Sequence, residues 1–459
     1  MNAPGQLDRQ IQNRIAELFI VKLGYTYLGN WEELGNTSNI EERHISNYLT
    51  KQGYDEVEIS KAIFELKQAA NSYSDDLLEK NKNVYALLHN GVQLKDEAGI
   101  RQRSIKLIDW KNWENNDFGI AEEVNIKGNK HKRPDIVLYV NGIALGLLEL
   151  KRSSADITEG IRQTIITQQG YYIESFFSTI QLVMAGNEAQ GLRYGTIKTE
   201  EKLYLQWNEA VADENISSPD KYLLHICHKE RFLEMIHDGV IFEAGKKKLV
   251  DPQQYLALKA ARERIDKKEG GIIWHQQGLG KNTLMVLLAK WVIESNANAR
   301  VIILTDNTEL DKQIETLFSE NGEAIKRAAN SKKLFQLLRQ PAPRLICSLA
   351  QKFGKKAEDI AEDFMKELES SPVPTDVELF VFVDDCHKPQ SSKLFLTMKM
   401  LLQKAIFIGF TGTALLKKDK KITMEVFGAY IHGPKLVEGQ AHTDFQHSES
   451  AEKKSVVSA

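Results

Sequence analysis

Asp135, Glu149 and Lys151 have the residue types and the spacing of a metal-dependent phosphodiester-cleaving site. Asp135 precedes one apolar run, and Glu149 and Lys151 end the next one. Two carboxylates hold Mg²⁺ as hard oxygen ligands, and the metal polarises a phosphate and lowers the pKa of an attacking water. The lysine would position that water or offset charge on the transition state. We therefore predict that Asp135 and Glu149 bind the metal; the alternative is an ordinary solvent-exposed strand end.

The turn between the two apolar runs decides whether these side chains converge. Asn141-Gly142 is a strong hairpin signal, and successive residues of a strand face opposite sides of its sheet. A strict two-residue turn would pair position 135 with 148 and leave Asp135 on the face opposite Glu149. A three-residue loop with Gly142 as a bulge, or a bulge near Gly146, would pair 135 with 147 and bring Asp135 onto the face of Glu149. We predict the second arrangement.

Gly278, Gly280 and Lys281 belong to a glycine loop between an apolar run and an amphipathic segment. Strand, loop and helix in that order form a nest of backbone N–H groups for phosphate oxygens, and Lys281 would reach the β and γ phosphates of ATP. The next position usually ligates Mg²⁺ through a hydroxyl, but here it is Asn282. An amide oxygen is a weaker magnesium ligand. The loop therefore predicts ATP binding with an altered metal contact.

Asp384 and Asp385 end a later apolar run, at the edge where a parallel sheet presents its magnesium-binding acids. Asp384 would hold Mg²⁺ through water. In an active ATPase the position of Asp385 would hold a glutamate that orients the attacking water. The side chain of Asp385 is one methylene shorter than that of glutamate. A retraction of about an ångström lowers a rate on the order of a hundredfold. We therefore expect nucleotide binding at most, with little hydrolysis.

The apolar pattern changes along the chain and predicts an α/β protein of two domains. We assign residues 1–245 to the first, with helices at its start and strands from about 106 to 150. In the second, 250–435, apolar runs alternate with amphipathic segments, a pattern typical of a parallel sheet covered on both faces. The remaining residues, 436–459, are polar and lack periodicity, and we expect them to be disordered.

Composition and charge narrow the classes of function. Hydrophobic residues make up 42% and charged residues 27% of the 459 residues, and no run of about 18 apolar residues predicts a membrane span. Three separated cysteines and the lack of a signal peptide favour a cytoplasmic protein. The net charge of −3 confines any DNA contact to local basic patches, and for any one patch taken alone a solvated loop is the favoured interpretation. These patches are Lys127, Lys130, Lys132 and Arg133, then Lys246-Lys247-Lys248, then Lys417, Lys418, Lys420 and Lys421.

Taken together, these motifs resemble the N-terminal part of the R (restriction and translocation) subunit of type I restriction enzymes. The resemblance covers nearly the whole chain to about Lys435 and includes Gly191-Leu-Arg-Tyr-Gly195 and Ile226-Cys-His-Lys-Glu-Arg231. It implies a PD-(D/E)xK nuclease domain followed by a RecA-like motor domain, with Mg²⁺ and ATP as cofactors. It implies double-stranded DNA as substrate, and the modification (methyltransferase) and specificity subunits of a restriction complex as partners.

The resemblance adds two glutamines to the candidate site residues. Gln163 matches the glutamine of a family Gln-x-x-x-Tyr element that aids cleavage, but the tyrosine position holds Thr167. Gln168 and Tyr172 have the same spacing five residues later, so the element has two candidate positions. Gln254 resembles the family's adenine-reading glutamine upstream of the glycine loop; the alternative is a polar residue at the start of a helix.

The residues that depart from the family pattern lie in the predicted motor domain. They are Leu279, Asn282, Asp385 and Ala414. The sequence ends soon after the third helicase motif, so we expect this chain not to translocate alone. Two functions follow: a Mg²⁺-dependent endonuclease fused to an impaired ATP-binding domain, or a non-catalytic remnant or regulatory subunit that binds nucleotide or DNA. An active ATPase is a third and less favoured reading.

Overall fold

In this computed structural model, the chain divides into two units, Met1–Pro252 and Gln253–Ala459. The structure describes residues 4–35, 37–95, 102–126, 132–207, 218–275, 278, 280–305, 308–340, 342–349, 377–386, 395–396, 398–400, 402–413 and 423–433. The predicted disordered tail 436–459, the basic patch at 417–421, Lys127 and Lys130 lie outside these residues. Among the helices of the described residues, none is long and apolar enough to cross a membrane.

Helices open the first unit, as the apolar spacing predicted. Helix α1 buries Ile11 and Ile15, and α3 begins at a capping box in which Asp55 and Glu58 each bond the other's backbone N–H. The elements are α1 (Pro4–Glu17), which continues as a π-helix to Lys22, β1 (Thr26–Asn30), α2 (Glu42–Lys51), α3 (Glu56–Ala70), α4 (Leu77–Asn90), β2 (Val92–Lys95), β3 (Gln102–Ile105), β4 (Phe118–Glu122), β5 (Ile136–Val140), β6 (Ile143–Leu150), α5 (Ile157–Thr167), β7 (Leu182–Asn187), β8 (Gly191–Gly195), β9 (Leu205–Gln206), α6 (Ser218–Ile226), α7 (Lys229–His237), β10 (Val240–Glu243) and β11 (Lys246–Leu249).

The main sheet of this unit is mixed, in the order β1-β4-β5-β6-β7-β8-β9. Strands β6 and β7 are parallel, and α5 makes the connection between them. Parallel neighbours need such a crossover, which lays a helix on one face of the sheet. Helix α5 thereby packs directly beside the end of β6: a Cβ added to Gly160 would lie 3.3 Å from both Ala185 of β7 and the stem of Lys151.

The hairpin of β5 and β6 contains both a two-residue turn and a bulge. Asn141 (φ +50°) and Gly142 (φ +82°) both have positive φ, the conformation of a type I′ turn. Val140 pairs with Ile143, but Leu138 pairs with Gly146, so Leu145 is the extra residue of β6. The predicted bulge near Gly146 is present. Because the bulge lies on β6, it moves the partner of position 135 one residue farther from the turn along β6.

The register beyond the bulge corrects the predicted pairing. Ile136 pairs with Leu148, so the next pair outward is Asp135 with Glu149, not position 135 with 147. Both registers keep the two carboxyl groups on one face of the sheet. The observed register places them directly opposite each other, where side chains of an antiparallel pair lie closest.

The run Lys246-Lys247-Lys248 is neither a solvated loop nor an open basic patch. It forms β11, and Lys247 is only 3% exposed. The Nζ of Lys247 donates to Asn81 Oδ1 at 2.6 Å and also to Gln181 Oε1, and burial holds its pKa well below the usual lysine value. The two flanking lysines form ion pairs with glutamates. This run therefore contributes to packing rather than to a DNA-binding surface.

The second unit contains an all-parallel sheet in the order β14-β15-β13-β16-β17-β12-β18. The predicted apolar runs are its strands, and among the described residues a helix follows each of β12, β13 and β14. Parallel strands carry their carboxyl ends to one edge. The elements are α8 (Pro252–Asp266), β12 (Gly271–Trp274), α9 (Lys281–Ser295), β13 (Ala299–Thr305), α10 (Thr308–Glu320), β14 (Ile325–Ala328), α11 (Ser331–Leu338), β15 (Leu345–Leu349), β16 (Glu378–Val383), β17 (Ile406–Thr411) and β18 (Tyr430–His432).

The turn at Gly142 gives the first prediction. A Cβ at this position would lie 2.7 Å from the backbone oxygen of Glu41, in addition to the cost of positive φ. Gly53 has a similar φ of +81° with nothing within 4 Å, so Gly53→Ala measures the backbone cost alone, about 1 kcal/mol. Gly142→Ala should cost about 1–3 kcal/mol more, because crowding adds to strain.

Thermal unfolding of the two variants, followed by tryptophan fluorescence, tests this difference. Gly142→Ala should lower the Tm by at least twice the shift caused by Gly53→Ala. Equal shifts would show that the hairpin turn has room to move and does not fix the register.

Candidate functional site

The carboxyl groups of Asp135 and Glu149 lie against each other at the open end of the β5–β6 hairpin. Asp135 Oδ2 accepts the backbone N–H of Leu150 at 2.6 Å, and the negative charge of Asp135 helps to raise the pKa of Glu149. Glu149 is 2% exposed. A negative charge on either acid disfavours ionisation of the other, so the pair favours one protonated carboxyl unless a cation offsets the charge.

Burial raises the pKa of both acids. It raises the pKa of Asp135 to about 6, although the Leu150 N–H and the Lys151 ammonium oppose the shift. The pKa of Glu149 is raised well above its usual value, first by burial and then by the negative charge of Asp135. Perturbed carboxyls of this kind concentrate at functional sites, because a folded protein otherwise gains nothing from burying them.

Lys151 and Gln163 complete the cluster. Lys151 Nζ donates to Gln163 Oε1 at 2.7 Å and lies 3.8 Å from Glu149 Oε2. Gln163 Nε2 donates to Glu149 Oε2 at 2.7 Å. The amide of Gln163 therefore bridges the acid and the amine and fixes both. All four residues predicted for this site converge: Asp135 directly precedes β5, Glu149 is in β6, Lys151 directly follows β6 and Gln163 is in α5.

The structure distinguishes the two candidate Gln-x-x-x-Tyr positions. Gln163 reaches the cluster, whereas Gln168 turns into the protein, donates to Thr164 O at 3.1 Å and accepts from Lys198 N at 2.7 Å. Tyr172 lies under the Lys132 ammonium, 5.0 Å from Nζ to the ring centroid. Only the first glutamine thus contacts the predicted catalytic residues, and Thr167 stands where the tyrosine would be.

A polar cleft of about 230 Å³ opens beside Asp135 and Lys151. It offers room for a phosphate group next to the acids. Asp135 lines the cleft and Glu149 stands opposite Asp135 in the hairpin, and two carboxylates with hard oxygens are a donor set that fits Mg²⁺. Sequence reasoning missed several of the residues that line it: Arg9, Ile11, Gln12, Glu32 and Glu123. Their signal was weak, because they come from segments remote in sequence from the hairpin.

The glycine loop of the second unit connects β12 to α9. Gly278 and Gly280 have φ of +83° and +77°, a left-handed conformation that glycine adopts without strain. Gly280 is the N-cap of α9, so the free N–H groups of its first turn point out of the helix start. Gln276, Gln277 and Leu279 of the loop lie outside the described residues.

Lys281 is held by both predicted acidic residues. Its Nζ lies 2.6 Å from Asp384 Oδ1 and 2.6 Å from Asp385 Oδ1. Burial would lower the pKa of Lys281, but the charges of Asp384 and then Asp385 outweigh it and raise that pKa. Burial raises the pKa of Asp384, which is 4% exposed. A phosphate entering the loop must compete for the lysine with this pair of carboxylates.

Gln254, Asn282 and the end of β17 surround this centre. Gln254 Nε2 donates to the backbone oxygen of Gly280 at 3.3 Å, so it contacts the loop itself. Asn282 is partly exposed in the first turn of α9. Thr411 ends β17 and accepts the N–H of Thr413 through its hydroxyl at 3.2 Å. The residues predicted for nucleotide binding thus lie at the carboxyl edge of the parallel sheet, as expected for such a fold.

Comparisons with known proteins agree with this arrangement. The family profile described as "Type I restriction enzyme R protein N terminus" matches residues 6–202, and that of the "SWI2/SNF2 ATPase" family matches residues 253–445. The second match supports a RecA-like domain in the second unit.

Curated relatives match both units at once. The putative type I restriction enzyme MjaIXP endonuclease subunit of Methanocaldococcus jannaschii is 24% identical over 82% of this chain and 39% of its own length. The type I restriction enzyme HindI endonuclease subunit of Haemophilus influenzae is 28% identical over 80% of this chain and 38% of its own. Among solved structures, a nuclease-deletion mutant of the type ISP restriction-modification enzyme LlaGI with a DNA substrate mimic aligns over 44% of this chain and 21% of that chain, at 16% identity and a TM-score of 0.31.

The chain spans about two fifths of the length of these curated relatives. Its first unit matches the R-protein N terminus and its second matches an ATPase family. The chain therefore resembles the N-terminal part of the R (endonuclease) subunit of type I restriction enzymes.

Proposed function

We propose that the chain is a Mg²⁺-dependent DNA endonuclease of the type I restriction R-subunit kind, with a PD-(D/E)xK nuclease module in residues 1–245 and an impaired ATP-binding module in residues 250–435. The observation that carries the proposal is the convergence of Asp135, Glu149, Lys151 and Gln163. The three cysteines of the chain are buried free thiols, and reduced thiols are typical of cytoplasmic proteins. Double-stranded DNA is its substrate, and modification and specificity subunits are its partners.

The roles in cleavage follow from the contacts. Asp135 and Glu149 would hold Mg²⁺, which supplies charge for the scissile phosphate and an acidified water. Lys151, kept in place by Gln163, has its ammonium within reach of the same acids and can offset negative charge on the phosphate. Gln163 orients both Lys151 and Glu149 because its amide donates to one and accepts from the other. Each group therefore has a function that its neighbours cannot replace.

Plasmid cleavage tests the lysine. The chain with supercoiled plasmid and Mg²⁺ should nick the DNA, and Lys151→Met should slow nicking on the order of a hundredfold or more, because one transition-state contact is lost. Lys111→Met, on an exposed lysine of the same unit, is the matched control and should leave the rate unchanged. No cleavage by the wild-type chain with any divalent metal or DNA form would contradict the nuclease proposal for the chain alone.

The raised carboxyl pKa values give a pH dependence. Below pH about 6 Asp135 is protonated, and a cation must displace that proton to bind. A raised carboxyl pKa also makes the metal-free fold lose stability as pH rises from about 4, the unfolded value, toward 6. Mg²⁺ should therefore raise the Tm more at about pH 8 than at about pH 5.

Differential scanning fluorimetry with and without Mg²⁺ measures this difference. Asp135→Asn should abolish the response at both pH values while the protein stays folded. An equal or larger Mg²⁺ shift at the lower pH would argue against a carboxylate site.

The residues of the second unit, but not those of the first, favour the alternative function, a non-catalytic protein that binds nucleotide or DNA. Asn282 and Asp385 replace a hydroxyl and a glutamate that hydrolysis ordinarily requires. Lys281 is nevertheless retained, and Gly278 and Gly280 both have positive φ. We infer that this unit binds ATP, and that metal contributes little to the affinity.

Fluorescence polarisation with a labelled ATP analogue tests that inference. EDTA should change the wild-type affinity only a fewfold, whereas Asn282→Thr, which restores a hydroxyl ligand, should make binding roughly tenfold tighter with Mg²⁺ than without. Asn282→Ala serves as the control and should behave like the wild type. A strong Mg²⁺ requirement in the wild-type chain, or DNA-stimulated phosphate release, would show that the site is intact.

A further inference from the structure

Gln12 of helix α1 is buried against Asp135. It is 4% exposed, and its Nε2 donates to the main-chain oxygen of Asp135 at 3.0 Å. The same oxygen accepts the N–H of Glu123 at 3.1 Å. With the Leu150 N–H on its carboxyl group, Asp135 is held by contacts from three segments that are distant in sequence. Gln12 contributes its side-chain amide to this set, whereas Glu123 and Leu150 contribute backbone N–H groups.

Helix α1 is seated firmly enough to make this contact specific. Ile11 and Ile15 are 8% and 0% exposed, so the helix buries the face that includes Gln12. Arg14, on another side of the helix, pairs with Glu188 at 3.0 Å and with Asp220. The helix is thus fixed from both sides, and Gln12 lines the cleft beside Asp135 and Lys151.

Resting on the proposed nuclease function, we propose that Gln12 is a positioning residue of the metal site. By holding the backbone of Asp135, it sets where that carboxyl meets Glu149 and hence where both bind a divalent cation. Only a neutral donor suits the position. A carboxylate there could not donate to the Asp135 oxygen and would add negative charge beside two buried acids, while an apolar residue would leave the oxygen one donor short.

The expected loss of metal affinity on removing Gln12 follows from residues that contact metal ligands rather than the metal. Groups that orient metal ligands without touching the metal typically change metal affinity by about 10–100-fold when removed. A residue that only stabilised the fold would instead lower the Tm and leave the metal titration unchanged. Metal affinity in a folded variant therefore separates the two roles.

The test is isothermal titration of Mg²⁺ into the full chain, with cleavage measured across Mg²⁺ concentrations. Gln12→Met keeps length and helix propensity but removes the donor, and Gln12→Ala removes it without adding bulk. Both should bind Mg²⁺ about 10–100-fold more weakly and recover most of the cleavage rate at saturating Mg²⁺. Gln10→Met, the same change on an exposed glutamine of α1, should match the wild type.

The outcomes are distinguishable. Folded Gln12→Met and Gln12→Ala variants with wild-type Mg²⁺ affinity would overturn the positioning role and leave the nuclease proposal standing. A wild-type chain that binds no Mg²⁺ would overturn both. If the wild type binds Mg²⁺ without cutting DNA, only the cleavage proposal falls, and the titration still measures the effect of Gln12.

Discussion

Two carboxyl groups buried side by side are costly unless a proton or a cation lies between them, and the first unit is built around this pair. Asp135 and Glu149 face each other because β6 carries one residue more than β5. Without Leu145 as a bulge, Asp135 would stand on the other face of the sheet, away from Lys151 and from the helix that carries Gln163. The bulge thus converts an ordinary hairpin into a possible metal site.

The surrounding elements hold this pair in place. Helix α5 approaches β6 and β7 closely at Gly160, and this approach brings Gln163 to the acid and the amine together. Helix α1, from the far end of the sequence, reaches the main-chain oxygen of Asp135 through Gln12. The strands provide the two acids, and the helices orient them. A site assembled from such distant segments depends on the whole unit being folded.

Much of this arrangement could be predicted from local pattern. The Asn-Gly turn, the glycine loop and the apolar runs of the parallel sheet are short-range signals, and each is present in the structure. The register of β6 against β5 was harder to predict from the sequence. Every residue of β6 except its last is buried, so no alternation of polar and apolar residues reveals where the extra residue lies. Gln12 and Lys247 could not be placed either, because their partners, among them Asp135 and Asn81, come from remote parts of the chain.

The central claim is that Asp135 and Glu149, which face each other at the end of the hairpin, together bind a divalent cation. Crystals grown with Mn²⁺ test it most directly, because the anomalous signal of manganese locates the ion without assumptions about its ligands. The account predicts a peak bound by both carboxyl groups, with Lys151 still on Gln163. A peak elsewhere in the cleft, or no peak at the two carboxyl groups at saturating Mn²⁺, would contradict it.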